Sequence, residues 1–416
     1  MTTARILHLV GLVMWHRAFL ILFLSAFCLT SFPGQYSPGV ALAQNRPAPV
    51  PVAADTPVAA DTVDAEAGAI YTVQGLEVDE TAASAVAARD QAMRTGQRQA
   101  LDLVLRRITM RMDHGALPDL DDKAIAQLVG AVQVTGEKTS TVRYLAKITV
   151  RLDRIAVREL LRNIGINFSE TRAKPTLILP VLEKGAALAL FEDSNVWRGA
   201  WQRLDLAASS LLPMRLPRGD LQDITTITAE GALAGNEGQL RAMAQRYGVD
   251  NIMVAHAVLS IDLQAGGVPR VDVTLLRFGP RGKSTEILDY GIDVGQDLDG
   301  AMDRLALRVV TDQQEHWKRR TQLNFGTETN LSALVPLSGL AEWLVVRQRL
   351  EATAIVRSIT LHGISRKDAQ VVINYFGDTE NLVVSLAQRD LNLAMVDGFW
   401  ELRLAKKGQV RAMTAK

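Results

Sequence analysis

Val142-Arg143-Tyr144-Leu145-Ala146-Lys147-Ile148-Thr149-Val150-Arg151-Leu152-Asp153 is the stretch on which the reading of the fold turns. Val142, Tyr144, Ala146, Ile148, Val150 and Leu152 alternate with Arg143, Lys147, Thr149 and Arg151, the two-residue period of a strand with one apolar and one wet face. Asp153 is placed to cap a helix from Arg154 to Asn163, which Gly165 ends. The apolar face needs a cover, and the sequence supplies it upstream. From Thr81 to Ile108, the residues Ala85, Ala88, Ala92, Gly96, Ala100 and Leu103 recur at spacings of three and four, one stripe of a long helix. Most of them are small, so this helix is expected to lie close against a sheet. Ile70 to Val78 supplies a further strand, and a short helix from Asp121 to Val129 starts on acids that suit the helix dipole. The unit, residues 69–168, reads β-α-(α)-β-β-α.

A second unit, residues 175–322, opens on the apolar strand Thr176 to Leu182. Asn195-Val196-Trp197-Arg198-Gly199-Ala200-Trp201 then reads as a helix start with Trp197 and Trp201 four apart on one face. A strand near Leu212 to Leu216, a helix from Glu237 to Tyr247 stopped by Gly248, and a strand from Asn251 to Asp262 follow. Val268 to Phe278 and Thr285 to Val294 make a hairpin, and a helix from Leu298 to Arg320 closes the unit. The last unit, residues 331–404, runs strand 331–336, helix 339–350, strand 355–364, strand 369–376, helix 379–389, strand 391–404. That is the β-α-β-β-α-β, ferredoxin-like plan. The expected fold class is α+β, in three small sheet-plus-helix modules.

Outward of these units the chain changes character. Arg5 and Arg17 are the only full charges in residues 1–43, and Ala18 to Phe32 is an apolar run. Breakers and then Ala41-Leu42-Ala43 precede Gln44, so residues 1–43 read as a secretory signal peptide cut after Ala43. The run is short for a span of about 20 residues. The competing reading is a retained inner-membrane anchor helix. Cys28, the single cysteine, falls inside this run, and cleavage leaves no thiol for disulfides, catalysis or metal binding. Residues 44–68 form a Pro/Ala-rich linker in which Pro-Val-Ala-Ala-Asp-Thr occurs twice in tandem, at 51–56 and 57–62.

The chain of 416 residues carries 46 Lys plus Arg against 45 Asp plus Glu, a balance that argues against a nucleic-acid partner. Reactive constellations are missing. Gly282-Lys283-Ser284 ends like a phosphate loop, but Arg277 stands where the first Gly is needed and a strand follows. His114, His256, His316 and His362 show no metal-ligand spacing, and His256, within an apolar strand, reads as a hydrogen-bonded core imidazole in preference to a ligand. The acids at Asp119, Asp121 and Asp122, and at Asp297 and Asp299, read as helix caps. His316-Trp317-Lys318-Arg319-Arg320 reads as a water-facing basic helix end, with contact to anionic lipid as its functional alternative. Trp197 and Trp201 are the candidate binding residues, since two tryptophans on one helix face either fill a core or make a partner site. No cofactor and no metal are expected.

The Tyr71-Thr72-Val73-Gln74-Gly75 strand, Ala88-Arg89 with Ala92, Val142-Arg143-Tyr144, the Asp153 turn, and Leu179-Pro180-Val181-Leu182 followed by Trp197 and Trp201 resemble the bacterial domain-of-unknown-function family 2066. The likeness spans Tyr71 to Trp201 and implies an exported envelope protein, with no functional residue to carry over. Tyr247-Gly248-Val249-Asp250 running into an apolar strand is similar to the amino-terminal domain of the translocation protein TolB. The expectation is a non-enzymatic periplasmic protein that binds envelope proteins in cell-envelope or surface-structure assembly. Membrane contact follows only if the signal is retained. The alternative is a periplasmic hydrolase with a scattered site. A pocket joining a His, an acid and a nucleophile marks the enzyme, and an exposed apolar patch marks the binder.

Overall fold

The computed structural model describes residues 68–206, 210–262, 268–280, 282–293 and 297–405. The expected signal peptide, Cys28 and nearly all of the linker lie outside them. The described chain combines helices with several small sheets in an α+β fold.

In the first unit β1 (Thr72–Thr81), α1 (Ala85–Ile108), α2 (Asp122–Leu128), β2 (Val129–Thr139), β3 (Arg143–Leu152) and α3 (Arg154–Asn163) follow in order. The sheet is antiparallel in the order β1-β3-β2, with Tyr144, Ala146, Ile148, Val150 and Leu152 buried under α1. The helix starts four residues later than its periodicity predicts. Thr81 is still held by Arg143 in the ladder, and the Ser84 side chain caps the first turn through the Ala87 amide. Ala88, Ala92, Gly96 and Ala100 face the sheet as expected, whereas Leu103 is exposed because burial continues on Val104 and Ile108. A Cβ on Gly96 would fall far inside van der Waals contact distance of Ile148 Cδ1 and 3.2 Å from Val78 Cγ1. Only a residue without a side chain allows this approach.

The second unit is built on a six-stranded sheet. After the short β4 (Phe168–Ser169) come β5 (Thr176–Lys184), β6 (Ala187–Ala189), α4 (Val196–Arg203), β7 (Met214–Arg215), α5 (Leu221–Thr226), α6 (Ala229–Ala234), α7 (Glu237–Tyr247), β8 (Asn251–Asp262), β9 (Val268–Gly279), β10 (Gly282–Asp293) and α8 (Leu298–Thr321). The order is β10-β9-β8-β5-β6, with β5 and β8 parallel and β7 also beside β5. Both faces are covered, which explains the continuous apolar reading of β5. Ile178, Met253, Ala255 and Val273 pack on α4 and α8, and Leu177, Leu179, Ile252 and Val254 pack on α6 and α7. Gly279 pairs with Gly282 in the β9–β10 hairpin, and no helix follows, so the phosphate-loop likeness is a turn.

The third unit departs from the plain ferredoxin-like plan. β11 (Gln322–Leu323) precedes β12 (Glu328–Pro336), α9 (Leu340–Glu351), β13 (Val356–Ile364), β14 (Asp368–Phe376), α10 (Thr379–Gln388), β15 (Leu391–Val396) and β16 (Phe399–Leu404). The single strand expected over 391–404 is a hairpin, because Asp397 (φ 50°) and Gly398 (φ 85°) form a two-residue turn. Asp-Gly is the dipeptide that tolerates two positive φ values in succession. The order β13-β14-β12-β16-β15 places β16, parallel to β12, between β12 and the strand that follows α10.

Each unit has its own main sheet, but the units do not have three separate cores. One continuous apolar cluster joins the first unit to the third. The residues between the first and second units are packed inside it. β4 pairs with β11, and Phe168, Phe325 and Phe376 stack in a chain with ring centroids 5.3 and 5.0 Å apart. Glu170, its side chain 1% exposed, accepts from Tyr71 and pairs with Arg154 (2.7 Å) and Arg158 (3.1 Å). Burial first, and then the Glu170 charge, pushes the Tyr71 phenol well above its ordinary value, so it stays protonated and donates. Ser169 bonds Thr321 (2.6 Å), and Thr171 bonds Ser385 (3.3 Å).

The basic run at the end of α8 is divided: Trp317 and Lys318 are drawn into this junction, a correction to the water-facing expectation for these two, whereas His316 and Arg319 are exposed and Arg320 is half-buried. Trp317 and Lys318 are buried. The Trp317 indole donates to the Thr171 carbonyl (2.7 Å), and Lys318 Nζ donates to the carbonyls of Arg106 (3.0 Å) and Thr109 (2.8 Å) and to Glu315 (2.8 Å). A lysine of the second unit thus satisfies carbonyls that α1 leaves open at its end.

Two outcomes follow. Gly96→Val forces β3 away from α1 and lowers the unfolding free energy by about 1–3 kcal/mol, read as a fall in the urea midpoint. At Glu315, burial opposes ionisation, yet hydrogen bonds from Lys318 and the Arg111 amide, with the charges of Lys318 and His114, hold the carboxyl below its ordinary range. Its contribution is therefore present above the unfolded pKa of about 4.3 and lost as pH falls through the lower folded value. Glu315→Gln should flatten the acid limb of the stability–pH curve measured by urea titration between pH 7 and pH 3.

Candidate functional site

Asn195 starts α4 by accepting from the Arg198 amide (2.9 Å) and donating to the carbonyls of Pro180 on β5, Ala189 at the end of β6 and Leu190 just beyond it. This cap turns Trp197 and Trp201 inward. Both are fully buried, their rings edge to face at 5.6 Å, and the Trp197 indole donates to the Ala255 carbonyl (2.9 Å). The candidate binding pair is corrected on burial: no partner reaches either ring while the sheet and α8 cover them. The same spacing of four that suggested a partner face is also the spacing of a core face, and only packing separates the two.

His256 is the imidazole with a carboxylate partner. On β8 it lies opposite Val181 of the parallel strand β5 and Thr274 of β9. Its Nε2 is 2.8 Å from Glu183 Oε2, with side-chain exposures of 17% and 34%. Arg270 and Asp272 pair beside it on β9 (3.0 Å). Glu183 stands near the carboxyl end of β5 and His256 midway along β8, beyond Leu179 and Val254, which α6 and α7 cover. The contact joins an imidazole to a carboxylate, but no hydroxyl bonds His256 among the described residues. No group of three or more His, Cys, Asp or Glu side chains is arranged to hold a metal among them either.

The third unit concentrates exposed apolar surface. Leu340 (66% exposed) and Leu344 (56%) stand on α9, Leu361 and Ile364 on β13, and Phe399 (74%) with Met395 beside the β15–β16 turn. Between α9 and β13 runs an open groove of about 460 Å³, floored by Trp343 and Ile359 and edged by Arg347, Glu351 and Arg357. Arg347 pairs with Glu351 (2.8 Å) and Arg357 with Glu328. β13 is hydrogen-bonded to β14 alone among the described strands. This surface was not singled out from sequence. Trp343, Val346 and Leu350 bury one side of α9 while Leu340, Leu344 and Val345 leave apolar side chains on the other. A helix apolar on both sides shows no clear polar face to mark what is exposed.

No protein-family model and no curated protein matches this chain. Among the described residues no helix is long and apolar enough to cross a membrane.

The tryptophans have a structural signature instead of a binding one. Trp197→Ala or Trp201→Ala removes a ring from a closed core and should lower the unfolding free energy by about 3–5 kcal/mol. Thermal and urea unfolding followed by far-ultraviolet circular dichroism read that loss.

Proposed function

We propose that this chain is a non-enzymatic, exported periplasmic protein whose third unit docks a protein of the cell envelope during envelope or surface-structure assembly. The observation that carries the reading is exposed Leu340 and Leu344 on α9 with Leu361 and Ile364 on β13, Leu361 lining the groove between the two elements, beside a strand edge that no other described strand pairs. Surface of that kind marks a contact site in a stable protein. The basic and apolar start of the sequence, with Ala41-Leu42-Ala43 before Gln44, supports export through a cleaved signal peptide. Retention of that segment would make the protein an inner-membrane-anchored version with the same docking unit. The residues resembling domain-of-unknown-function family 2066 and the TolB amino-terminal domain support an envelope role and bring no active-site residue with them.

The hydrolase alternative rests on the His256–Glu183 pair. One comparison separates the two readings: crosslinking and capture from envelope fractions with the wild-type chain, with Leu340→Glu/Leu344→Glu, and with His256→Ala. Docking through α9 predicts a specific partner lost by at least tenfold in the double variant and retained in His256→Ala. Turnover of a generic ester or peptide substrate that His256→Ala abolishes, with no partner recovered, would replace docking with hydrolysis.

A further inference from the structure

We propose that the chain pairs with a second copy of itself through the free edge of β2, the copies joined antiparallel about Gln133 so that their first sheets run on as one. This contact lies on the first unit and does not depend on the docking reading.

β2 is an edge whose middle carries no charge. It is hydrogen-bonded to β3 alone among the described strands, so every second residue leaves its N–H and C=O without a strand partner. Charge or proline normally blunts such an edge. β1, the opposite edge of the same sheet, carries Glu77, Asp79 and Glu80, and β13 carries Arg357 and His362. From Val129 to Gly136, β2 reads Val-Gly-Ala-Val-Gln-Val-Thr-Gly, with neither charge nor proline. An uncharged, valine-rich run pairs readily with an identical strand.

Two bulges frame the run and decide the occupant. Between Val129 and Ala131, and again between Thr135 and Lys138, β2 spends one residue more than β3 does. Gly130 lies in the first and Gly136, at φ 62°, in the second. Each glycine stands three residues from Gln133. A bulge bends its strand and raises the local twist, so a straight foreign strand keeps contact only over Ala131–Thr135. A second copy turned end for end about Gln133 sets Gly130 against the second copy's Gly136, and the reverse. Bulge then meets bulge with no side chain between them. β2 is complementary to itself, as a two-fold contact requires.

The side chains agree with that register. Val132 and Val134 lie opposite the buried Val150 and Ile148 of β3, on the side that α1 covers, and both are half-buried. Pairing about Gln133 sets each Val132 against the second copy's Val134 and carries the apolar layer across the join. On the wet side, exposed Ala131 meets the second copy's Thr135, and Gln133 meets its own counterpart. Glu137, the first charge beyond the run, is paired with Arg89 of the same copy (3.7 Å). A slip of one residue would turn the valines of one copy to the wet side of the other.

Sedimentation equilibrium of the full chain tests this. Gln133 is exposed, so substitution there leaves the core intact, which far-ultraviolet circular dichroism checks. Gln133→Lys and Gln133→Glu each oppose like charges at the axis and should raise the dimer dissociation constant by roughly tenfold or more. An equal mixture of the two should return to wild-type strength. Mild oxidation reads the register, because directly opposed residues stand about 5 Å apart between Cα atoms, within disulfide reach. Gln133→Cys should link to itself above the background that Cys28 sets in the wild-type chain. Ala131→Cys and Thr135→Cys should link to each other when mixed and not when alone. A chain monomeric at every concentration, a dimer as tight in Gln133→Lys as in wild type, a mixture that fails to recover, or Thr135→Cys linking to itself as readily as Gln133→Cys each overturns the proposal. Ala394→Lys alters β15, another uncharged edge. A dimer lost there and kept in Gln133→Lys would move the contact to the third sheet and equally overturn it.

Discussion

A buried carboxylate holds this architecture together. Glu170 sits in the connection between the first and second units, out of water, with the phenol of Tyr71 and the guanidinium groups of Arg154 and Arg158 on its oxygens. An isolated charge in such a place would be very costly, so it is tolerable only when every one of these donors is in position. That requirement ties the entrance to β1, the helix α3 and the connecting segment to one point. From there the chain runs as Ser169 to α8 and Thr171 to α10. The polar links add registration to a core whose driving force is apolar burial along Phe168, Trp317 and the residues of the third sheet.

The consequence for function is presentation. α8 belongs to the second unit by chain order, yet its last turns lie against the end of α1 and against the third unit. The first and third units therefore share one core while the second sheet keeps its own two faces. With its inner helix α10 committed to this junction, the third unit is left with α9, β13 and the β15–β16 hairpin tip as outward features. A docking edge on a rigid support binds without first losing the freedom of a tether.

Much of the local structure was legible in the residues. The alternation from Val142 to Leu152, the Asp153 cap, the Ala88–Ala92–Gly96–Ala100 stripe and the helix Glu237 to Tyr247 reappear with little change, because each is set by neighbours within one or two turns. The hairpin hidden in 391–404 was missed, since both of its halves are apolar and only the Asp397-Gly398 pair signals reversal. α5 and α6 escaped notice for their shortness, although Asp220 and Thr228 cap them. Trp197 and Trp201 were placed correctly on one face of a helix, but which way that face turned was beyond local reading.

By itself the sequence determined where strands and helices form, the α+β class and the lack of a metal-spaced or thiol-based motif, because periodicity and capping act between residues close in the chain. Tertiary structure alone decided that Lys318 is spent on the carbonyls of α1, that Phe168, Ser169, Glu170, Thr171 and Ala173 are interior, that β16 inserts beside β12, and that α9 and β13 keep exposed apolar side chains. Those are matters of which apolar surfaces meet first and which are left over. A side chain's fate as core or as contact surface depends on partners far along the chain, 99 residues away for Tyr71 and 209 for Lys318.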